Sequence, residues 1–231
     1  LADCEDIVSL IKKACSVGAK LIYFANPDNP MGTHVPGYKI VAALKDLPEG
    51  CLFILDEAYS EFAPDSSLPN LEITDMRVVR LRTFSKAYGM AGARVGYAMA
   101  EENLINSFEK IRNHFGMNRV AQKAAFEALS DNQWLLEMVQ KVESGRQRIY
   151  KIAASNNLKP ISSSTNFVAI DCGQDGTFAK KVLTELISLG IFVRMPFVSP
   201  QDRCIRVSVG KKRDLDKFEE ALPAALKRAS K

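Results

Sequence analysis

Apolar positions recur along this chain at two spacings. Between residues 5 and 17 they fall at Ile7, Leu10, Ile11 and Ala14, which is the spacing of a helix with one apolar face, and Gly18 follows as a stop. Residues 20–25 read as a short apolar strand, residues 26–36 as a loop, and residues 37–46 as a helix. Residues 51–55 are wholly apolar, as expected of a strand buried on both faces. Residues 77–82 and 95–100 read as the next strands. Strands that alternate with helices predict parallel pairing and an α/β sheet.

The second half changes rhythm. Helices are expected over residues 101–112 and 118–130, then a long one over 133–156 that only Gly145 interrupts. A helix of that length often bridges two lobes. After it come a strand (166–171), a helix (177–189), two strands (191–194 and 204–209) and a last helix (215–228). The expected organisation is a large domain over residues 1–140 with a mostly parallel sheet, and a small α+β domain over 141–231.

Composition narrows the class. The 231 residues, 47% hydrophobic and 25% charged, describe an ordinary soluble globular chain, enough for one large or two small domains. The net charge of +4 is scattered, and the longest basic run, Lys211-Lys212-Arg213, reads as a solvated helix start rather than a nucleic-acid patch. Five cysteines without a CxxC and two distant histidines favour neither a disulfide framework nor a zinc site. A reducing cytosol fits this usage. No run is long enough to span a membrane, and no signal peptide is visible.

Chemistry collects at strand ends. In open α/β sheets, ligands bind at the carboxyl ends of the strands. Asn29 follows the first predicted strand, Asp56 and Tyr59 the second, and Ser85 and Lys86 the third. The loop from Thr83 to Ala93 is too short for a helical crossover, so the next strand should return antiparallel and start Arg94 on the same edge. Lys86 lies in a loop rich in hydroxyls and glycines, and a lysine sequestered there can lose its proton and act as a nucleophile. Ser85 and Arg94 are side chains that hold a phosphate. The combination points to a lysine that forms a Schiff base with a phosphorylated aldehyde cofactor. Gly89, Gly92 and Gly96 do not spell G-x-G-x-x-G, which argues against a nicotinamide dehydrogenase.

Four segments carry a family resemblance: the run Thr83 to Tyr97 around Lys86, Asn26-Pro27-Asp28-Asn29-Pro30-Met31-Gly32, Asp56-Glu57-Ala58-Tyr59, and Arg206-Val207-Ser208-Val209-Gly210. In their order along the chain they resemble the fold-type I aminotransferases that use pyridoxal 5'-phosphate, most closely the histidinol-phosphate aminotransferase-like branch. The resemblance implies Lys86 as the Schiff-base lysine and proton carrier, Asp56 as the partner of the pyridine nitrogen, Tyr59 and Asn29 at the phenolic oxygen, and Ser85 and Arg94 at the phosphate. Two unit charges ~4 Å apart attract by roughly 4 kcal/mol at an effective dielectric near 20, enough for Asp56 to keep that nitrogen protonated. Asn29 and Arg206 are expected on the substrate carboxylate, Arg206 by a bidentate grip, and Arg194 on a distal phosphate. The loop Met195-Pro196-Phe197-Val198-Ser199-Pro200 departs from the family's glycine-containing form, and Phe197 could face an aromatic or apolar substrate instead. Thr83 is a further hydroxyl near the phosphate, and Glu57 receives no role. The bland alternatives are an N-cap for Asp56, a turn for Asn29, a core ring for Tyr59 and an internal ion pair for Arg206.

The implied activity moves an amino group between an amino acid or amine, histidinol-phosphate-like or aromatic, and a 2-oxo acid. A homodimer and small-molecule substrates are implied, with no nucleic acid and no membrane. In that family a segment precedes the first motif and carries a ring that stacks on the cofactor, so the chain is expected to lack an N-terminal part. Rival readings are a decarboxylase or C–S lyase on the same scaffold, and an inactive fragment or non-catalytic relative.

Overall fold

The computed structural model describes residues 5–231. By internal contacts they form two compact units, one of Glu5–Pro27 and His34–Val139, the other of Asp28–Thr33 and Gln140–Lys231.

The first unit opens with α1 (Ile7–Val17). Asp6 caps it, accepting from the Val8 and Ser9 amides, and Gly18 ends it at φ 62°, a left-handed conformation that favours glycine. Next come β1 (Leu21–Ala25), α2 (Gly37–Ala43) with one 3₁₀ turn after it, β2 (Leu52–Asp56), β3 (Val78–Thr83) and β4 (Gly96–Met99). The sheet order is β1-β2-β3-β4; the first three strands are parallel and β4 is antiparallel to β3, with Thr83 opposite Gly96. The antiparallel return expected from the short loop is present. α3 (Glu102–Phe108) is shorter than the sequence predicts, and α4 (Arg119–Ser130) starts on an Asn118 cap.

One face of this sheet carries the core. Ile22 and Phe24 of β1, Phe53 and Leu55 of β2, and Val78 of β3 are buried with Ile7, Ile11 and Ala14 of α1 and Ile40 of α2. Burying a side chain of this size contributes about 1.5–3 kcal/mol. The expectation that residues 51–55 are buried on both faces is corrected: Phe53 and Leu55 are buried, but Leu52 and Ile54 between them are only half-buried. The α1–α2 layer seals one face of β2, and the described residues cover the other incompletely.

The long helix α5 (Asn132–Ser155) is continuous. In the second unit β5 (Lys159–Pro160), β6 (Phe167–Asp171) and β7 (Cys204–Ser208) form an antiparallel sheet, with α6 (Gly176–Ser188) and α7 (Lys212–Ala229). Its core joins Ile149 and Ile152 of α5 to Val168 and Ile170 of β6, Ile205 and Val207 of β7, Val182 and Leu186 of α6, and Phe218 and Leu222 of α7. Alternation sends Ala169, Cys204 and Arg206 to the opposite face, where Ala169 and Cys204 pack with Met31 and Ile161. This contact is why Asp28–Thr33 belongs to the C-terminal unit. The strand predicted at 191–194 does not form. Arg194 makes one isolated bridge to Arg206, and Pro196 has no amide with which to extend a ladder.

Gly145 has a packing reason for being there, since a Cβ on it would overlap the Val209 Cγ1 methyl. In an open helix, Gly to Ala gains about 1 kcal/mol. Here we expect Gly145→Ala to lose about 1–3 kcal/mol by overpacking. Adding Val209→Ala should return much of that loss, with denaturant unfolding as the measurement.

Candidate active site

At the carboxyl edge of the first sheet, β2 ends on Asp56 and β3 on Thr83. Asp56 is half-buried; its Oδ1 accepts from the Ala58 amide at 2.9 Å, and its Oδ2 accepts from the phenol of Tyr23. Sequence reading missed Tyr23. It stands on the same face of β1 as Asp56 does of β2, because Tyr23 pairs with Ile54 and Asp56 lies two residues further on. Burial first, then the carboxylate beside it, pushes the Tyr23 phenol above its ordinary range.

Glu57 points the other way. It is 1% exposed and receives Arg80 through Nε at 3.1 Å and Nη2 at 2.7 Å, and Arg82 through Nε at 3.1 Å. Its amide donates to Leu81 O at 2.9 Å. Two guanidiniums thus neutralise a buried carboxylate and tie the end of β2 to β3, leaving the neighbouring Asp56 on the opposite face.

The lysine loop is built from its own backbone. The Phe84 amide donates to Val95 O at 3.2 Å, Met90 to Phe84 O at 2.9 Å, and Gly89, at φ 68°, to Lys86 O at 3.0 Å. The Ser85 amide donates to Thr83 Oγ1 at 3.1 Å, so Thr83 shapes the turn. Phe84 and Val95 anchor the loop in a cluster with Ala121 and Ala125 of α4, and Ala87 is also buried. Lys86 between them is half-buried, with Nζ 5.2 Å from the centroid of the buried Tyr59 ring. Arg94 adopts φ 53°, is exposed, and donates through Nη1 to Ala91 O at 3.0 Å. Topology therefore brings Asp56, Tyr59, Ser85, Lys86 and Arg94 to one sheet edge: a carboxylate, a phenol, a hydroxyl, an amine and a guanidinium.

The other sequence candidates lie in the second unit. Asn29 sits in the Asp28–Thr33 turn, where the Asp28 amide donates to Thr33 O at 2.8 Å and the Met31 amide to Asp28 Oδ2 at 3.1 Å. Burial pushes the Asp28 carboxyl up. Gly32, at φ 82°, leaves room for Ser163, whose Oγ would stand 2.6 Å from a Cβ there. Arg206 Nη1 donates to Asn29 Oδ1, and its guanidinium lies 4.7 Å from the centroid of Phe167. Arg194 is exposed and meets Arg206 through backbone, its amide donating to Arg206 O at 3.1 Å and its carbonyl oxygen accepting from the Arg206 amide at 2.6 Å. Phe197 is almost fully exposed.

The chain is similar to known proteins over nearly its whole length. The profile of the aminotransferase class I and II family matches residues 1–222. A histidinol-phosphate aminotransferase from Sinorhizobium meliloti, solved in complex with pyridoxal-5'-phosphate, is 46% identical and superposes with a TM-score of 0.96, covering 99% of this chain and 63% of that one. The histidinol-phosphate aminotransferases of Geobacillus sp. (strain WCH70) and Bacillus licheniformis are 35% and 36% identical over 231 and 227 residues, or 98% and 96% of this chain. The chain spans 62% of the length of each of these two relatives. With the match extending over nearly its whole length, the chain belongs to the class I and II aminotransferase family.

Proposed function

We propose that this protein is a pyridoxal 5'-phosphate-dependent aminotransferase of the histidinol-phosphate aminotransferase type. It would move an amino group between a histidinol-phosphate-like or aromatic amine and a 2-oxo acid, and act as a homodimer, as the family resemblance implies. The observation that carries the reading is the donor set at the first sheet edge, with the Lys86 amine over the Tyr59 ring and Asp56 at the end of β2. When bound, the cofactor supplies an electrophilic aldehyde and a ring that accepts electrons from the substrate carbon. The groups present fit it: an acid for its ring nitrogen, a phenol for its phenolic oxygen, a hydroxyl and a guanidinium for its phosphate.

Asp56 would accept from the cofactor's ring N–H and so favour the protonated ring nitrogen. The Tyr23 phenol orients the Asp56 carboxylate by donating to Oδ2. Tyr59 supports the phenolic oxygen by hydrogen bonding. Ser85 Oγ and the Arg94 guanidinium take the phosphate. Lys86 Nζ would hold the cofactor's aldehyde carbon, and would take a proton from the substrate carbon and return it. Arg206, steadied by Asn29 and Phe167, receives the substrate carboxylate. Arg194 is assigned to a distal anionic group of the substrate.

Two outcomes test this. Lys86→Ala should reduce transamination to background while circular dichroism stays native; retained turnover refutes the assignment, and release of carbon dioxide by the unaltered protein replaces it with decarboxylation. Arg206→Ala should raise KM for both carboxylate substrates about ten- to a hundredfold, the equivalent of one lost charge-assisted bond. An unchanged KM would make Arg206 a structural residue.

A further inference from the structure

Arg146 is a buried charge that the chemistry above does not use. It is 6% exposed and is one of the buried residues of α5, with Ile149, Ile152 and Ala153. Its Nη1 donates to Ser163 O at 2.9 Å and Thr165 O at 3.2 Å, and its Nη2 pairs with Glu143. Tyr150, one helical turn on, accepts from the Ser163 amide at 2.8 Å. One helix face thus holds the segment from Ser163 to Thr165 by two side chains. That segment grips the Asn29 turn in its turn: the Ser164 amide donates to Gly32 O at 2.7 Å, and Ser163 Oγ occupies the space a side chain on Gly32 would need. Asn29 then accepts from Arg206.

We propose that Arg146 is a positioning residue for the carboxylate clamp, acting from α5 through Ser163–Thr165 and Gly32 to set Asn29 against Arg206. The inference rests on the assignment of Asn29 and Arg206 to the substrate carboxylate. A guanidinium suits the task because its planar fork serves two carbonyls and a carboxylate in one fixed geometry, which a lysine ammonium on a flexible stem does not reproduce. Burial adds to this, since carbonyls left unpaired there would draw the loop toward other partners.

The test compares the unaltered protein with Arg146→Met and Arg146→Lys. Folding is followed by circular dichroism, amide hydrogen exchange is read at Ser164 and Gly32, and calorimetry measures binding of succinate, an unreactive dicarboxylate. The expected result is a native fold, faster exchange at Ser164 and succinate affinity lowered about ten- to a hundredfold, the range for a displaced positioning group. Lys should restore little of it. Faster exchange with unchanged succinate affinity would overturn the proposal, as would weakened binding with unchanged exchange. Loss of fold in both variants would overturn it too, by making Arg146 purely structural. If the unaltered protein ignores succinate, the carboxylate assignment itself falls, and the inference with it.

Discussion

Parallel pairing of β1, β2 and β3 is the constraint on which the rest depends. It sends three consecutive carboxyl ends to one edge, so Asp56 and Tyr59 after β2 come to the same edge as Ser85 and Lys86 after β3 without any dedicated element. The short antiparallel return to β4 completes the edge by bringing Arg94 back to where β3 stopped. Strand polarity also sorts the acidic pair. Asp56 and Glu57 are adjacent, but alternation turns one toward Tyr23 and buries the other between Arg80 and Arg82. A single chain segment therefore supplies both the carboxylate at the sheet edge and the ion cluster beside it.

The C-terminal unit reaches a comparable result by a different route. Its antiparallel sheet has helices on one face and the Asp28–Thr33 turn on the other, where Met31 seals against Ala169 and Cys204. Arg206 is on that second face by alternation alone. A guanidinium on a strand otherwise apolar needs partners, and Asn29 and Phe167 are among them. That arrangement orders the arginine, and in the role proposed for it this order would lower the entropic cost of gripping a carboxylate.

Much of this was legible in the residues. The helix stop at Gly18, the order of the strands and the return at β4 follow from spacing, glycine and loop length. So does the gathering of Asp56, Tyr59, Ser85, Lys86 and Arg94 at one edge. What was not legible depends on pairing register or on tertiary cover. Tyr23 reads as one more apolar strand position until the β1–β2 register sets it beside Asp56. The strand expected at 191–194 has the right composition but finds a partner only at Arg194. Arg146 and Arg148 are two residues apart and of one type, yet only Arg146 is buried. A signal existed, because Arg146 lies three and seven residues before Ile149 and Ala153, on the apolar stripe of α5.

The most direct measurement treats the protein with pyridoxal 5'-phosphate, reduces it with borohydride and maps the labelled peptide. The account expects a visible absorbance band on mixing, lost on reduction, and one label, on Lys86. A label spread over surface lysines, or a protein that gives no band and takes no label, would contradict it.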